Sequence, residues 1–213
     1  MVTGGKITVN CTNAEAIEVK KTLTIKGGEV YAWSKGDDAI NSASTFTIED
    51  GLVCGISLGN DGLDANGNFY IKGGVVYACG KSSPELAIDA NTEGGFKLYV
   101  SGGTIFALGG LESGASLSQT CYQASSWTTD KYYSITVGEN TYVFKTPSSG
   151  GTKLVVSGAS KPEVKSNVNV NGGTEIFDGY GVIGGTVSGG SAVSLSTYTN
   201  SGGGPGGGPG GRP

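Results

Sequence analysis

The sequence predicts an all-β chain: a right-handed parallel β-helix of about five coils, followed by a less regular β cap. Two observations predict it. Glycine closes strand-like runs at Gly5, Gly28, Gly51 and Gly74, three steps of 23 residues, and again at Gly103 after a step of 29. Between these glycines the residues align in columns, and no long amphipathic helix interrupts them.

The coils read 6–28, 29–51, 52–74 and 75–103, the last carrying a six-residue insertion. Their first strand gives the column Ile7, Val30, Val53, Val76, Ile105 and, two residues on, Val9, Ala32, Gly55, Ala78, Ala107. A second strand gives Ile17, Ile40, Leu63, Ile88. A third gives Leu23, Phe46, Phe69, Leu98, followed by Ile25, Ile48, Ile71, Val100. Inward residues thus recur at period two on three short strands per coil. One coil cannot bury its own apolar edge, whereas coils stacked at about 4.8 Å form a continuous interior. A single domain is expected over 1–200, with regular coils at 4–121 and a cap or flanking β segment at 122–200. That segment contains hairpin-like runs at Tyr133 to Val137 and Tyr142 to Lys145, then a strand at Lys153 to Ser157. Residues 201–213 alternate glycine triplets with proline and are expected to be a disordered tail.

Charged residues make up 15% of the chain and the net charge is −4, so no basic surface is available for a phosphate backbone, and nucleic acid is excluded as a partner. There is no histidine, and the one arginine, Arg212, lies in the tail, which disfavours most catalytic chemistries. No apolar run reaches the length of a membrane span, so no membrane insertion is expected. The opening residues already look like structure, so any export signal is expected to lie outside this sequence. Cys11, Cys54, Cys79 and Cys121 lack the paired spacings of a zinc site. Both buried thiols and disulfides remain open for them.

Acidic residues concentrate in the turn between the first and second strands. Stacking makes columns of Glu15, Asp38, Asp61 and of Glu18, Asn41, Asp64, Asp89. Two bare carboxylates about 5 Å apart repel by roughly 3 kcal/mol at an effective dielectric of about 20. Calcium would offset that, since it takes six to eight hard oxygen ligands in flexible geometry. The candidate ligands are Asp37, Asp38, Asn41, Asp61, Asp64 and Asp89. The alternative is that these side chains only bond backbone N–H groups to make tight turns.

Outward residues of the first strand are unusually apolar: Thr8, Tyr31, Cys54, Tyr77, Phe106 and Asn10, Trp33, Ile56, Cys79, Leu108. Aromatic rings on a flat sheet can stack on sugars, which makes Tyr31, Trp33 and Tyr77 candidate ligand contacts. The alternative is that the segment from Tyr122 onward folds back over the stripe. The third strand offers a more polar row, Thr24, Thr47, Tyr70, Tyr99, in which Tyr70 and Tyr99 are further candidates.

The phrases GDDAINSASTFTIEDG and NDGLDANGNFYIKGG resemble those of the bacterial carbohydrate-binding domain family with a polysaccharide-lyase-like right-handed β-helix. The resemblance covers residues 4–121. It implies secretion, calcium among Asp37, Asp38, Asp61, Asp64 and Asp89, and binding of cellulose- or pectin-like polysaccharide. The chain departs from that family in its short regular body and the insertion in the fourth coil. The expectation is a non-catalytic, calcium-containing glycan-binding module, secreted or on a bacterial cell surface, and a monomer. Its rivals are a surface adhesin or structural spacer, and a calcium-dependent lyase using a lysine such as Lys20, Lys35, Lys72 or Lys81 as base.

Overall fold

A computed structural model describes residues 1–199, and the tail expected over 201–213 lies outside the described residues. Strands take 52% of the chain and helical turns 3%, which makes the fold all-β with a solenoid-like arrangement. On the first side, Lys6–Cys11, 29–34, 52–57, Val75–Cys79 and Thr104–Leu108 pair in parallel. The second side is Ile17–Val19, Ile40–Ser42 and Leu63–Ala65. The third is 23–25, 46–48, Phe69–Ile71, Leu98–Val100 and Ser116–Leu117. Leu23–Ser34 and Phe46–Ser57 are continuous strands that turn the corner from the third side of one coil into the first side of the next.

The register is the one the repeat implies. Ile7 pairs with Val30, Val30 with Val53, Val53 with Val76 and Val76 with Ile105. From Val30 to Ile105 this column is buried, and the Ile40, Leu63, Ile88 and Phe46, Phe69, Leu98 columns join it in one interior. Like stacks on like, and Phe46 and Phe69 lie ring over ring at 4.4 Å.

About three turns are regular, against the five expected. The insertion explains the difference. Leu63 meets Ile88 after a step of 25, and Phe69 meets Leu98 after a step of 29, so the extra residues fall on both flanks of the second side. Pro84, which has no N–H, lies on one flank. The other holds a single helical turn, Thr92–Gly94, capped by the Asn91 side chain. Beyond Leu63–Ala65 the second side therefore keeps only isolated bridges at Ile88 and Leu111.

The chain then reverses the pattern. Leu154–Ser157 closes the first side by pairing antiparallel with Thr104–Leu108, and Cys121–Ala124 pairs antiparallel with Leu154–Ser157 in turn. The hairpin read around Gly138 is Tyr132–Val137 with Asn140–Lys145. It sits at the centre of a six-stranded antiparallel sheet with Glu163–Asn171, Thr174–Ile176, Gly181–Ile183 and Thr186–Ala192. This sheet folds over the outward face of the first side and builds a second core. Tyr31, Cys54, Tyr77 and Phe106 meet Tyr133, Ile135, Phe144 and Phe177 there. All four cysteines are free thiols, and only Cys11 is partly exposed.

The corner glycines are required by geometry. Gly28, Gly51 and Gly74 have φ of 86°, 102° and 78°, and a Cβ on Gly51 would lie 2.9 Å from the Gly28 carbonyl oxygen of the coil below. Gly51→Ala is expected to cost about 3 kcal/mol, combining left-handed strain of about 1–2 kcal/mol with a backbone clash that cannot relax. Gly95→Ala, at φ 83° with nothing within 4 Å, is expected to cost only the backbone term. Denaturant unfolding of the two variants checks the difference, and equal losses would mean that coil spacing does not constrain the corner.

Candidate functional site

The acidic turn is shaped by a serine at the end of each first-side strand. Ser34 Oγ donates to the Ala14 carbonyl of the coil below at 2.7 Å and accepts the N–H groups of Gly36 and Asp37. Ser57 repeats this one coil on, donating to the Asp37 carbonyl at 2.6 Å and accepting from Gly59 and Asn60. Each turn is therefore pinned both to itself and to its neighbour, and the acids that follow it fall into line.

The six sequence-derived metal candidates divide. Asp37 is engaged by its column partner, with Asn60 Nδ2 donating to its Oδ1 at 2.7 Å. Asn41 Oδ1 accepts from Asn66 Nδ2 at 3.4 Å. Asp38 Oδ1 accepts the Asp61 N–H at 3.0 Å, and Asp61 Oδ1 accepts the Leu86 N–H. These are turn-making bonds of the kind weighed against calcium, but they run between coils rather than within one. Asp61, Asp64 and Asp89 form the cluster, each offering a carboxylate oxygen within 4.8 Å of the others.

Glu112 is the residue the sequence reading missed. The bridges from Leu63 to Ile88 and from Ile88 to Leu111 carry the Glu18, Asn41, Asp64, Asp89 column one coil further, to Glu112. It stands 23 residues after Asp89, so the repeat period contained the signal. Its side chain is buried, hydrogen-bonds Asp89 and accepts from the Ser113 N–H at 2.6 Å.

Two of the cluster's acids, Asp61 and Asp89, line a cleft of about 440 Å³ together with Glu112, Glu85, Lys153 and Tyr198. Of the four lysines weighed as lyase bases, none lines it, and Lys153 is its basic residue. Burial, reinforced by the Asp64 and Asp61 charges, pushes the Asp38 carboxyl up to about 8. Burial pushes Asp61 up to about 7, against the Leu86 N–H that lowers it. Asp89 is driven well above the carboxylate range by burial and by the bond to Glu112.

The candidate sugar contacts also divide. Tyr31 and Tyr77 are 2% and 0% exposed, which removes them as a ligand surface. The C-terminal sheet covers them: Tyr77 Oη donates to the Lys145 carbonyl at 2.8 Å, and its ring packs 5.1 Å from Phe144. Trp33 is half-buried against the same core. Covering such a stripe is favourable because a bare apolar face of that size would not stay in water. Tyr70 and Tyr99 remain half-exposed on the third side, stacked at 4.8 Å and 12°, with Lys72 Nζ 5.6 Å from the Tyr70 ring centre.

No protein-family model matches the chain, and no curated protein or solved structure is significantly similar to it. Among the described residues no helix is long and apolar enough to cross a membrane.

A pH dependence follows from the acids. The Asp38 and Asp61 values stand above the roughly 4 of an unfolded chain. Between about pH 4 and pH 8 the metal-free folded state therefore holds more protons than the unfolded state, and its stability falls as pH rises across that window. Melting temperatures recorded in chelator from acid to neutral pH are expected to decline. A flat or rising profile would contradict the desolvated cluster.

Proposed function

We propose that this chain is a non-catalytic, calcium-containing polysaccharide-binding module of a secreted or cell-surface protein. On this reading it is wound as a right-handed β-helix and belongs with the carbohydrate-binding family its turn motifs resemble. The observation that carries the reading is the convergence of Asp61, Asp64 and Asp89 within 4.8 Å beside the buried Glu112. Right-handed winding is supported by the general rule that parallel crossovers take that hand.

The donor set fits calcium. It consists of hard carboxylate oxygens, and it lacks the imidazole or thiolate that zinc and copper prefer. Asp61, Asp64 and Asp89 would hold the ion, with Asp38 and Glu112 at its margin. Bound there, calcium supplies positive charge that compensates the acids and attracts the carboxylate or hydroxyl groups of a sugar. The Tyr70 and Tyr99 pair supports the glycan half of the reading, since partly exposed aromatic rings beside an ammonium group suit a pyranose carrying an acid.

Two measurements test this. Calcium at about a hundred times its dissociation constant should add about 2.7 kcal/mol, or roughly 5–10 °C in melting temperature, and Asp64→Asn should remove most of that rise. Identical melting curves in calcium and chelator would eliminate the ion. In affinity electrophoresis, polygalacturonate or a soluble cellulose derivative should retard the chain, and Tyr70→Ala with Tyr99→Ala should weaken retardation about tenfold, near 1.4 kcal/mol. Unretarded migration on a broad glycan panel would leave a spacer or adhesin role.

A further inference from the structure

The insertion in the fourth coil leaves an aromatic side chain in water. Phe96 is 40% exposed, one of three large apolar residues so placed among the described residues, and it stands where the inserted turn Thr92–Gly94 leads into the third side at Leu98–Val100. A single exposed apolar residue is ordinary on a protein surface. This one is held there by a built turn. The Asn91 carbonyl accepts the N–H groups of Gly94 and Phe96 at 3.2 and 3.1 Å, and the Asn91 side chain accepts the Gly94 N–H at 2.7 Å. On the other side of the ring, the Asn68 side chain of the coil below accepts the Lys97 N–H at 2.9 Å.

The residues that follow continue the same surface. Leu98 is buried, so Lys97 and Tyr99 alternate outward from it, and Tyr99 stacks on Tyr70. Phe96 precedes Tyr99 by three residues, at most about 10 Å of extended chain, which a short oligosaccharide spans. Lys72 follows Tyr70 by two residues and Lys97 precedes Tyr99 by two, so the register of Tyr70 on Tyr99 sets the two lysines at opposite ends of the tyrosine pair.

These lysines have no carboxylate of their own. Glu49 of the coil below Lys72 is already bonded to Lys26 at 3.2 Å, and neither Lys72 nor Lys97 joins an ion pair among the described residues. Glu93, the acid of the inserted turn, lines the acidic cleft with Asp61 and Asp89 instead. We propose that the insertion builds a second sugar subsite on the third side, in which Phe96 takes a further ring of the glycan lying on Tyr70 and Tyr99, and Lys97 takes that ring's carboxylate. The occupant is an oligosaccharide of uronic acids, because two ammonium groups in need of partners gain from a sugar carboxylate what a neutral glucan does not offer. The inference rests on the glycan-binding reading. It adds a direction, across the third side rather than along the solenoid axis, and a preference for acidic over neutral chains.

Isothermal titration calorimetry of the full chain with galacturonate oligomers of rising length tests the subsite. Affinity is expected to rise from dimer to tetramer. Phe96→Ala should cut tetramer affinity about tenfold while leaving the dimer's unchanged, and Phe96→Tyr should keep the parent's value. Lys97→Gln should weaken the tetramer at low salt, where charge is least screened, and spare its methyl ester. Melting temperatures equal to the parent's should accompany both changes, since both side chains are exposed. A tetramer that binds Phe96→Ala as tightly as the parent, or a Lys97→Gln loss shared equally by the ester, would overturn the subsite and leave the glycan reading standing. A parent chain that binds no glycan would overturn both.

Discussion

Vertical backbone pairing between coils is the constraint on which every other feature depends. Each of the three sides is a ladder in which a residue finds its partner one coil away, as Ile17 does with Ile40 and Ile40 with Leu63. Because strands in a sheet sit about 4.8 Å apart, that ladder sets the height of every side-chain column. The apolar columns gain from it: stacked Phe46 and Phe69, or Val53 on Val76, fill an interior that one coil could not enclose. The corner glycines follow from the same spacing, since the coil below leaves no room for a Cβ.

The same constraint acts against the polar columns. A sheet that forces valine onto valine also forces Asp64 onto Asp89 and Asp89 onto Glu112, where like charges at short range are unfavourable. Two responses are visible. Asp37, Asp38 and Asp61 spend lone pairs on Asn60 and on backbone N–H groups of the next coil, so part of the acidic turn is ordinary fold chemistry. Asp61, Asp64 and Asp89 retain mutual proximity, with Asp61 and Asp89 lining a cleft, and there a proton or a cation is the natural compensation. The clustering of these acids and the stacking of the coils are thus two consequences of one geometry.

The solenoid was legible in the sequence because a repeat period and an inward pattern both report directly on stacking. The step of 23 gave the partners of Val30, Asn41 and Phe46 without any structure. The count of turns was less legible, since an insertion in a coil removes ladder pairing on one side while leaving the apolar residue, Ile88, in its column. The site was half legible: columns are visible in sequence, but whether a carboxylate turns toward a cleft or toward an N–H group is decided by the neighbouring coil. Glu112 was missed although the step of 23 from Asp89 reaches it, because the acidic column was followed only through the coil that carries the insertion. The covered face was ambiguous for a different reason. Tyr31 and Tyr77 look the same in sequence whether they meet a sugar or Phe144, and only the packing of the C-terminal sheet, which has no repeat, distinguishes the two.

The claim that stacking concentrates these acids into a cation site is tested most directly by a crystal structure grown with calcium. The account predicts one ion at about 2.3–2.6 Å from carboxylate oxygens of Asp61, Asp64 and Asp89, with the remaining ligands drawn from backbone carbonyls and water. Carboxyl groups bonded only to one another and to the backbone, with no ion among them under saturating calcium, would contradict it.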